Sequence, residues 1–418
     1  MSDTEEESTS SENWLINSEW IQDFLRDYHK QNGEFLVKDY HVSNGSSNGV
    51  NNLSEVLAVK IDYEFKNEDQ HLDLFIKLLP HDPFSRYFVT EAQFDLREIK
   101  FYTQILPDLI DFEKRNLIPS AESMFIAVPK CYHTTYTLTS HLDNPHASPE
   151  PPESILVLED MRPRGYKSAH FTQGLNLDEA RSAIRSISVV HALSLAMKLK
   201  DKIDLNEKYP FLFQISKASD SYQQLVEQGL PQLTRFLQKR EGRDNEISAL
   251  NDIRNKTRNI IENLLQPIEP MGLITHTDFW CNNLLLKDGG DSSAVDNCII
   301  LDWQMVTYSR PTNDIALLLI SSLPSSVRRA NMTKLLDFYY ECLSENLAKI
   351  SVDLENDLGY SRHKLEADYR KSQLLALLLC IGSVDIALGN ENAEQRFLDV
   401  LEDFYKDGIL SSDFLNDN

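Results

Sequence analysis

The stretch THTDFWCNNLLL (275–286) places a histidine, an aspartate and two asparagines ahead of a run of leucines. Polar groups this dense beside an apolar run suit a plain polar turn, a metal site, or the working groups of a transfer reaction. A hydrolase-type metal site built on His276 and Asp278 needs further His or Asp ligands at matching spacing, and none is evident. Phosphoryl transfer needs a carboxylate to orient or deprotonate the attacking hydroxyl, and an oxygen ligand for Mg²⁺ a few residues on. Asp278, followed five residues later by Asn283, offers both from one loop. Asp302, in CIILDW (298–303), is the second metal ligand in this reading, because a hairpin over 284–301 folds it back beside Asn283.

Such chemistry also needs a cation on the nucleotide phosphates. Lys77 lies in LDLFIKLLP, among apolar residues on an expected strand. A lysine there is costly unless paired. Glu98 in the following helix is the preferred partner, with Glu91 as the competitor. An ion pair at contact distance is worth roughly 4 kcal/mol at an effective dielectric of about 20, before desolvation is set against it. The geometry matters more, since the glutamate aims the lysine. The loop 43–54 has Asn51 and Ser54 to offer phosphate, although both also read as ordinary turn residues. ILVLED (155–160) is a short apolar strand ending in acids. Its end, at Glu159 and Met161, suits adenine binding through backbone groups.

The elements that must hold these groups change character along the chain. Residues 1–12 read as a disordered acidic tail. A helix begins at Asn17 or Ser18, with Ile21, Phe24, Leu25 and Tyr28 on one face. Phe35–Val42, LSEVLAVKIDYEF and LDLFIKLLP read as antiparallel strands, the last two joined by the charged turn KNEDQH. A helix over about 88–106 ends at Pro107. AVPKCYHTTY is another strand, and HLDNPHASPEPPES a surface loop. Beyond 165 the pattern is helical, broken by LLLK, the turn KDGGDSSAVDN and CIILDW, then helical again from Asn313. The domain reading is therefore 13–160 as a small β-rich lobe and 161–418 as a larger helical lobe.

In this order the residues resemble the protein-kinase-like superfamily, in its small-molecule branch with choline and aminoglycoside kinases. The match is closest to the ecdysteroid-kinase-like group, whose loop commonly reads HGDLWxNN before a strand ending DFQ. This chain has HTDFWCNN and LDWQ, with EIKFYTQILP, LVLEDM and GLNLDEARSAIRSISVVHA at similar spacing. The resemblance covers about 35–405. It implies a two-lobed α+β protein-kinase-like fold, with an antiparallel N-lobe and a mainly helical C-lobe. It also implies ATP and Mg²⁺. Asp278 is then the catalytic base, Asn283 and Asp302 hold Mg²⁺, Lys77 grips the α/β-phosphates and Glu98 orients it. His276 supports the loop, and Asp314 ties the loop to the helix that it begins. Thr277 departs from the usual Gly, Trp303 stands where Phe is commoner, and Gln304 holds the position that is Gly in protein kinases. Trp280 replaces the Lys of Ser/Thr protein kinases, which argues against a protein substrate.

The formal net charge is −24 with no concentrated basic patch. That field repels nucleic acid and anionic membranes and tolerates small neutral or cationic molecules. The five cysteines are scattered and odd in number, which fits free thiols in a reduced compartment. With no signal-peptide pattern at the start, a soluble cytoplasmic protein is expected. No protein partner can be inferred. The expected acceptor is a small hydroxylated molecule, an ecdysteroid-like steroid or a hydroxylated foreign compound. A cationic acceptor such as choline or an aminoglycoside, and a non-catalytic binding protein, stay open as alternatives. His191, on an apolar helix face, reads as a core histidine. Tyr209, Phe211 and Phe213 read as core rather than pocket.

Overall fold

A computed structural model describes residues 16–30, 33–45, 53–137, 153–287, 297–411 and 414. The acidic tail, Asn51 and most of the 141–154 loop lie outside these residues. The chain divides into two compact units, Met1–Ala92 with Lys130–Asp160, and Gln93–Pro129 with Met161–Asn418.

The first unit opens with α1 (Ser18–Tyr28), whose Asn17 side chain accepts the Glu19 and Trp20 N–H groups at 3.0 Å each. This satisfies two of the donors that a helix start leaves open. Five strands follow: β1 (Phe35–Asn44), β2 (Glu55–Phe65), β3 (Glu68–Leu78), β4 (Cys131–Tyr136) and β5 (Ser154–Glu159). They form an antiparallel sheet in the order β1-β2-β3-β5-β4. Alternation decides the faces. Leu57, Val59, Ile61, Leu74, Ile76, Ile155 and Val157 point to the core with Ile21, Phe24 and Leu25 of α1. The charged turn is shorter than its sequence suggests. Only Lys66 and Asn67 turn, both left-handed at φ 53° and 63°, and Glu68 already pairs with Phe65. A two-residue turn of this hand matches the twist of the strands. Helix α2 (Pro83–Glu91) closes the segment, capped by Asp82.

The second unit begins with α3 (Phe94–Lys100), a π turn at Phe101–Ile105 and α4 (Leu106–Asn116). Pro107 therefore does not end the helix, contrary to the expectation. The wider turn just before it takes up the lost N–H and the ring's bulk, and Pro107 falls in the first turn of α4, where proline is tolerated. The break comes earlier, at left-handed Gln93.

Short strands and long helices make up the rest. In chain order they are β6 (Tyr166–Ser168), α5 (Leu177–Lys200), α6 (Leu205–Lys208), α7 (Ile215–Gln238), α8 (Asp244–Arg254) and α9 (Thr257–Leu265). After these come β7 (Leu273–Thr275), β8 (Leu284–Lys287), β9 (Cys298–Ile300), β10 (Thr307–Ser309), α10 (Thr312–Ser321), α11 (Ser325–Ala348), α12 (Arg362–Gly382), α13 (Val384–Ala387) and α14 (Glu391–Lys406). Asn176 and Glu179 form a capping box at the start of α5, and almost every later residue of that helix to Met197 is buried. Helices α7 and α12 cross at Gly229, where a Cβ would lie 1.8 Å from the Ile381 carbonyl oxygen. No helix among the described residues is long and apolar enough to cross a membrane.

Candidate active site

The loop 276–283 hangs between two small strand pairs. β7 pairs with β10 at Thr275↔Thr307, and β8 with β9 at Leu284↔Ile300. Asp314, in the first turn of α10, is fully buried. Its carboxylate accepts the His276 N–H at 2.8 Å and the Thr277 N–H at 2.7 Å. It also bonds His191 Nε2 at 3.1 Å, and His191 Nδ1 meets the Tyr339 hydroxyl at 2.8 Å. A buried carboxylate persists only with such partners, and the helix N-terminus adds to them. His191 is thus a core residue with both nitrogens paired, and through Asp314 it steadies the loop.

His276 is fully buried, with Nε2 2.8 Å from the Leu301 carbonyl oxygen. A carbonyl only accepts, so the proton is on Nε2. Nδ1 then accepts the Asp278 N–H at 3.3 Å. The ring braces the loop against the strand end that carries Asp302.

Asp278, Asn283 and Asp302 come together at this point. Asn283 Nδ2 donates to the Asp278 backbone oxygen at 2.8 Å and to Asp278 Oδ2 at 2.9 Å. Because the backbone oxygen can only accept, the amide orientation is fixed, and the Asn283 carbonyl oxygen faces away from Asp278. The Leu301 N–H donates to the Asn283 backbone oxygen at 2.9 Å, which sets Asp302 beside it. Asp302 is left-handed at φ 62°, a conformation that Asp tolerates. Burial pushes the Asp278 carboxyl above the usual carboxylate range, against the opposing pull of His276; the nearby Asp302 charge adds to the rise, and hydrogen bonds from the Asn283 and Trp280 side chains oppose it. Among the described residues no group of three or more His, Cys, Asp or Glu is arranged to hold a metal. One carboxylate and one amide oxygen are nevertheless a fitting set for Mg²⁺, which takes few protein ligands and completes its shell with water and phosphate.

Glu98 is buried on α3, in the second unit. That helix is clamped to the chain just after Asp302. Arg97 Nε donates to the Gln304 backbone oxygen at 2.9 Å, and Phe101 stacks on Trp303 at 3.9 Å and 4°. The Arg97 guanidinium also lies 4.0 Å over the Phe213 ring. Arg97 was not singled out by the sequence. The only hint was its place next to Glu98, since a charged residue on a buried helix face needs a partner.

In the first unit Lys77 lies within the sheet, opposite Val56 on one side and Leu156 on the other. It points away from the α1 core, on the face that also carries Phe75, Leu156 and Leu158. Ser54, one residue before β2, is 8% exposed, and its buried Oγ has no hydrogen-bond partner among the described residues. Two residues from Val56, it is on the same side as Lys77. The Glu159 N–H donates to the Lys130 oxygen at 2.8 Å, and the Met161 carbonyl accepts the Arg164 N–H at 3.1 Å. The Met161 side chain packs with Ala127, Tyr166 and Ile299. Tyr209 and Phe213 are buried, as their core reading expected.

A small antiparallel sheet in one unit and a mainly helical second unit, holding an Asp-x4-Asn loop and a following Asp, define a protein-kinase-like fold. A choline kinase from Cryptosporidium parvum Iowa II shares this fold, with 13% identity and a TM-score of 0.51 over 96% of this chain and 99% of that one. A Plasmodium vivax ethanolamine kinase aligns at 11% identity and a TM-score of 0.42, covering 94% and 91%. An amicoumacin kinase, solved with AMP-PNP, Ca²⁺ and Ami, aligns at 11% and 0.44, covering 96% and 97%. No curated protein sequence matches. Residues 48–352 match the ecdysteroid kinase-like family, and the chain belongs to it. It is therefore a small-molecule kinase, a phosphotransferase with an alcohol group as acceptor, and ATP use follows from the family.

Proposed function

We propose that the protein transfers the γ-phosphoryl group of Mg·ATP to a hydroxyl of an ecdysteroid-like steroid or of a hydroxylated foreign compound. The observation that carries this is the hydrogen-bonded pair Asp278–Asn283 with Asp302 beside it. Asp278 orients the acceptor hydroxyl and takes its proton as the oxygen attacks phosphorus and the bond to ADP breaks. A carboxylate raised above its usual range is the better base near neutral pH. Asn283 holds Asp278 through its amide nitrogen and turns its oxygen to the metal, and Asp302 is the second metal ligand. Bound Mg²⁺ neutralises charge on the phosphates. Lys77 and Ser54 take phosphate oxygens in the first unit, where the Ser54 hydroxyl, without a partner among the described residues, suits an anion. Glu98 sets the lysine, and backbone groups at Glu159 and Met161 serve the adenine. His276 and Asp314 keep the loop in shape.

Asp278→Asn is expected to lower turnover by about 10²–10⁴-fold while calorimetry shows ATP binding nearly intact. Unchanged turnover, read by mass detection of the phosphorylated product, would remove Asp278 from this role. Asp302→Asn is expected to abolish the Mg²⁺ dependence of nucleotide binding in the same titration.

A further inference from the structure

Helix α11 starts at Pro324 without a side-chain cap, and among the described residues nothing accepts the Ser325, Ser326 and Val327 N–H groups. Such an end carries open donors and about half a positive charge. Two side chains of the same turn add donors. The Ser325 hydroxyl and Arg328 Nε are buried with no hydrogen-bond partner among the described residues. Their residues are only 8% and 4% exposed. Three positions apart, they share one face of the helix, and helical side chains lean towards the N-terminus, over this first turn. Arg328 has Asp403 as its counter-ion, but only through Nη2, at 2.6 Å.

A second guanidinium reaches the same end from α14. A Cβ on Gly174 would stand 2.8 Å from Arg396 Nη1, 2.8 Å from the Ser322 oxygen and 2.9 Å from Pro324 Cδ, so Arg396 lies beside the residue that begins α11. Arg396 is 5% exposed. Its Nη2 donates to the Phe171 oxygen at 2.7 Å, and the group lies 4.6 Å over the Phe171 ring. No carboxylate among the described residues pairs with it. Burial lowers its pKa, and only the Cys281 and Cys380 thiols act against that.

A buried cation calls for a counter-charge. A water would meet the open hydrogen bonds but not the charge of Arg396. An uncapped helix start, two guanidiniums and a hydroxyl, in a chain of net charge −24, suit an anion that accepts from several directions. The side chains are all more than nine-tenths buried, which favours a free ion over a bulky ester. We infer that the start of α11 binds one small oxyanion of the phosphate class, held by the Ser325 hydroxyl, Arg328 Nε, the Arg396 guanidinium and the first N–H groups of the helix. The site adjoins the support of the catalytic loop, because the Ser322 hydroxyl accepts the Cys281 N–H at 2.9 Å.

The test titrates inorganic phosphate into the full chain at constant ionic strength, with Mg·AMP-PNP present to occupy the nucleotide site. Calorimetry should show one phosphate bound, and saturation should raise Tm by about 2–5 °C. Ser325→Ala removes one donor and should weaken phosphate binding about 10-fold, with Tm unchanged or higher when phosphate is absent. Ser325→Asp supplies the negative charge from the chain itself. Without phosphate its Tm should exceed that of the wild type, and phosphate should no longer raise it. Absence of bound phosphate, equal affinity in wild type and Ser325→Ala, or a Ser325→Asp variant that melts below the wild type overturns the inference.

Discussion

Thr277 sits at φ 68°, where a branched side chain crowds its own backbone and glycine does not. The strain is held because the Thr277 N–H is fixed on Asp314 and its hydroxyl meets that of Thr275 at 2.8 Å. The loop therefore keeps the conformation a glycine would give it, at a cost of about 1–3 kcal/mol. Thr277→Gly is expected to stabilise the protein by about 1 kcal/mol, a rise of roughly 2 °C in Tm, because Thr275 retains its bond to the Thr307 oxygen. Thr277→Ala keeps the Cβ and should give no such gain, and a calorimetric scan of both variants decides. At this scale the sequence revealed which polar groups belong to the loop, since Asp278 and Asn283 are neighbours along the chain. It did not reveal the backbone hand at 277, because that arises from packing by distant segments.

Elements were legible where a local pattern decides them. The alternation of Leu57, Val59, Ile61 and Tyr63 marks a strand packed on one face, and Asn176 with Glu179 marks a helix start. The π turn before Pro107 and the two-residue turn at Lys66–Asn67 were not legible, because long-range packing and strand twist set them rather than composition. Between helices, α11 and α14 are tied by Arg328 and Arg329 on Asp403, with Arg328 Nη2 2.6 Å from its carboxylate. Burial works to raise the Asp403 carboxyl, but the two arginines outweigh it and hold it below the usual range. Its folded value thus lies below its unfolded one. The tie contributes fully above about pH 4 and is lost as pH falls through the lowered value. Asp403→Asn should cost roughly 2 kcal/mol at pH 7, between the values for exposed and buried pairs. The gap in Tm between wild type and variant should close on acidification below pH 4. A gap that stays constant down to pH 3 would mean that the carboxylate's charge is not what joins the helices.

The chain passes between its two units at 92/93, 129/130 and 160/161, so neither unit is one continuous stretch. Sequence character alone suggests a cut near 160, where strands give way to helices. Yet 93–129 supplies the second unit with Arg97 on the Gln304 oxygen, Phe101 on Trp303, and the Ala127 oxygen that accepts the Ile300 N–H at 2.8 Å. It also buries Phe94, Ile99, Ile105, Leu109 and Phe112. At roughly 2 kcal/mol for each buried side chain, losing this segment matches a domain's whole margin of about 5–15 kcal/mol. A fragment spanning 161–418 is therefore expected to bind a hydrophobic dye and melt without a cooperative transition, while 93–418 melts cooperatively. The comparison also bears on the site, because the segment clamps the chain directly after Asp302. If 161–418 alone melted sharply at the Tm of 93–418, the helix carrying Glu98 would be an accessory to the second unit and not part of its core.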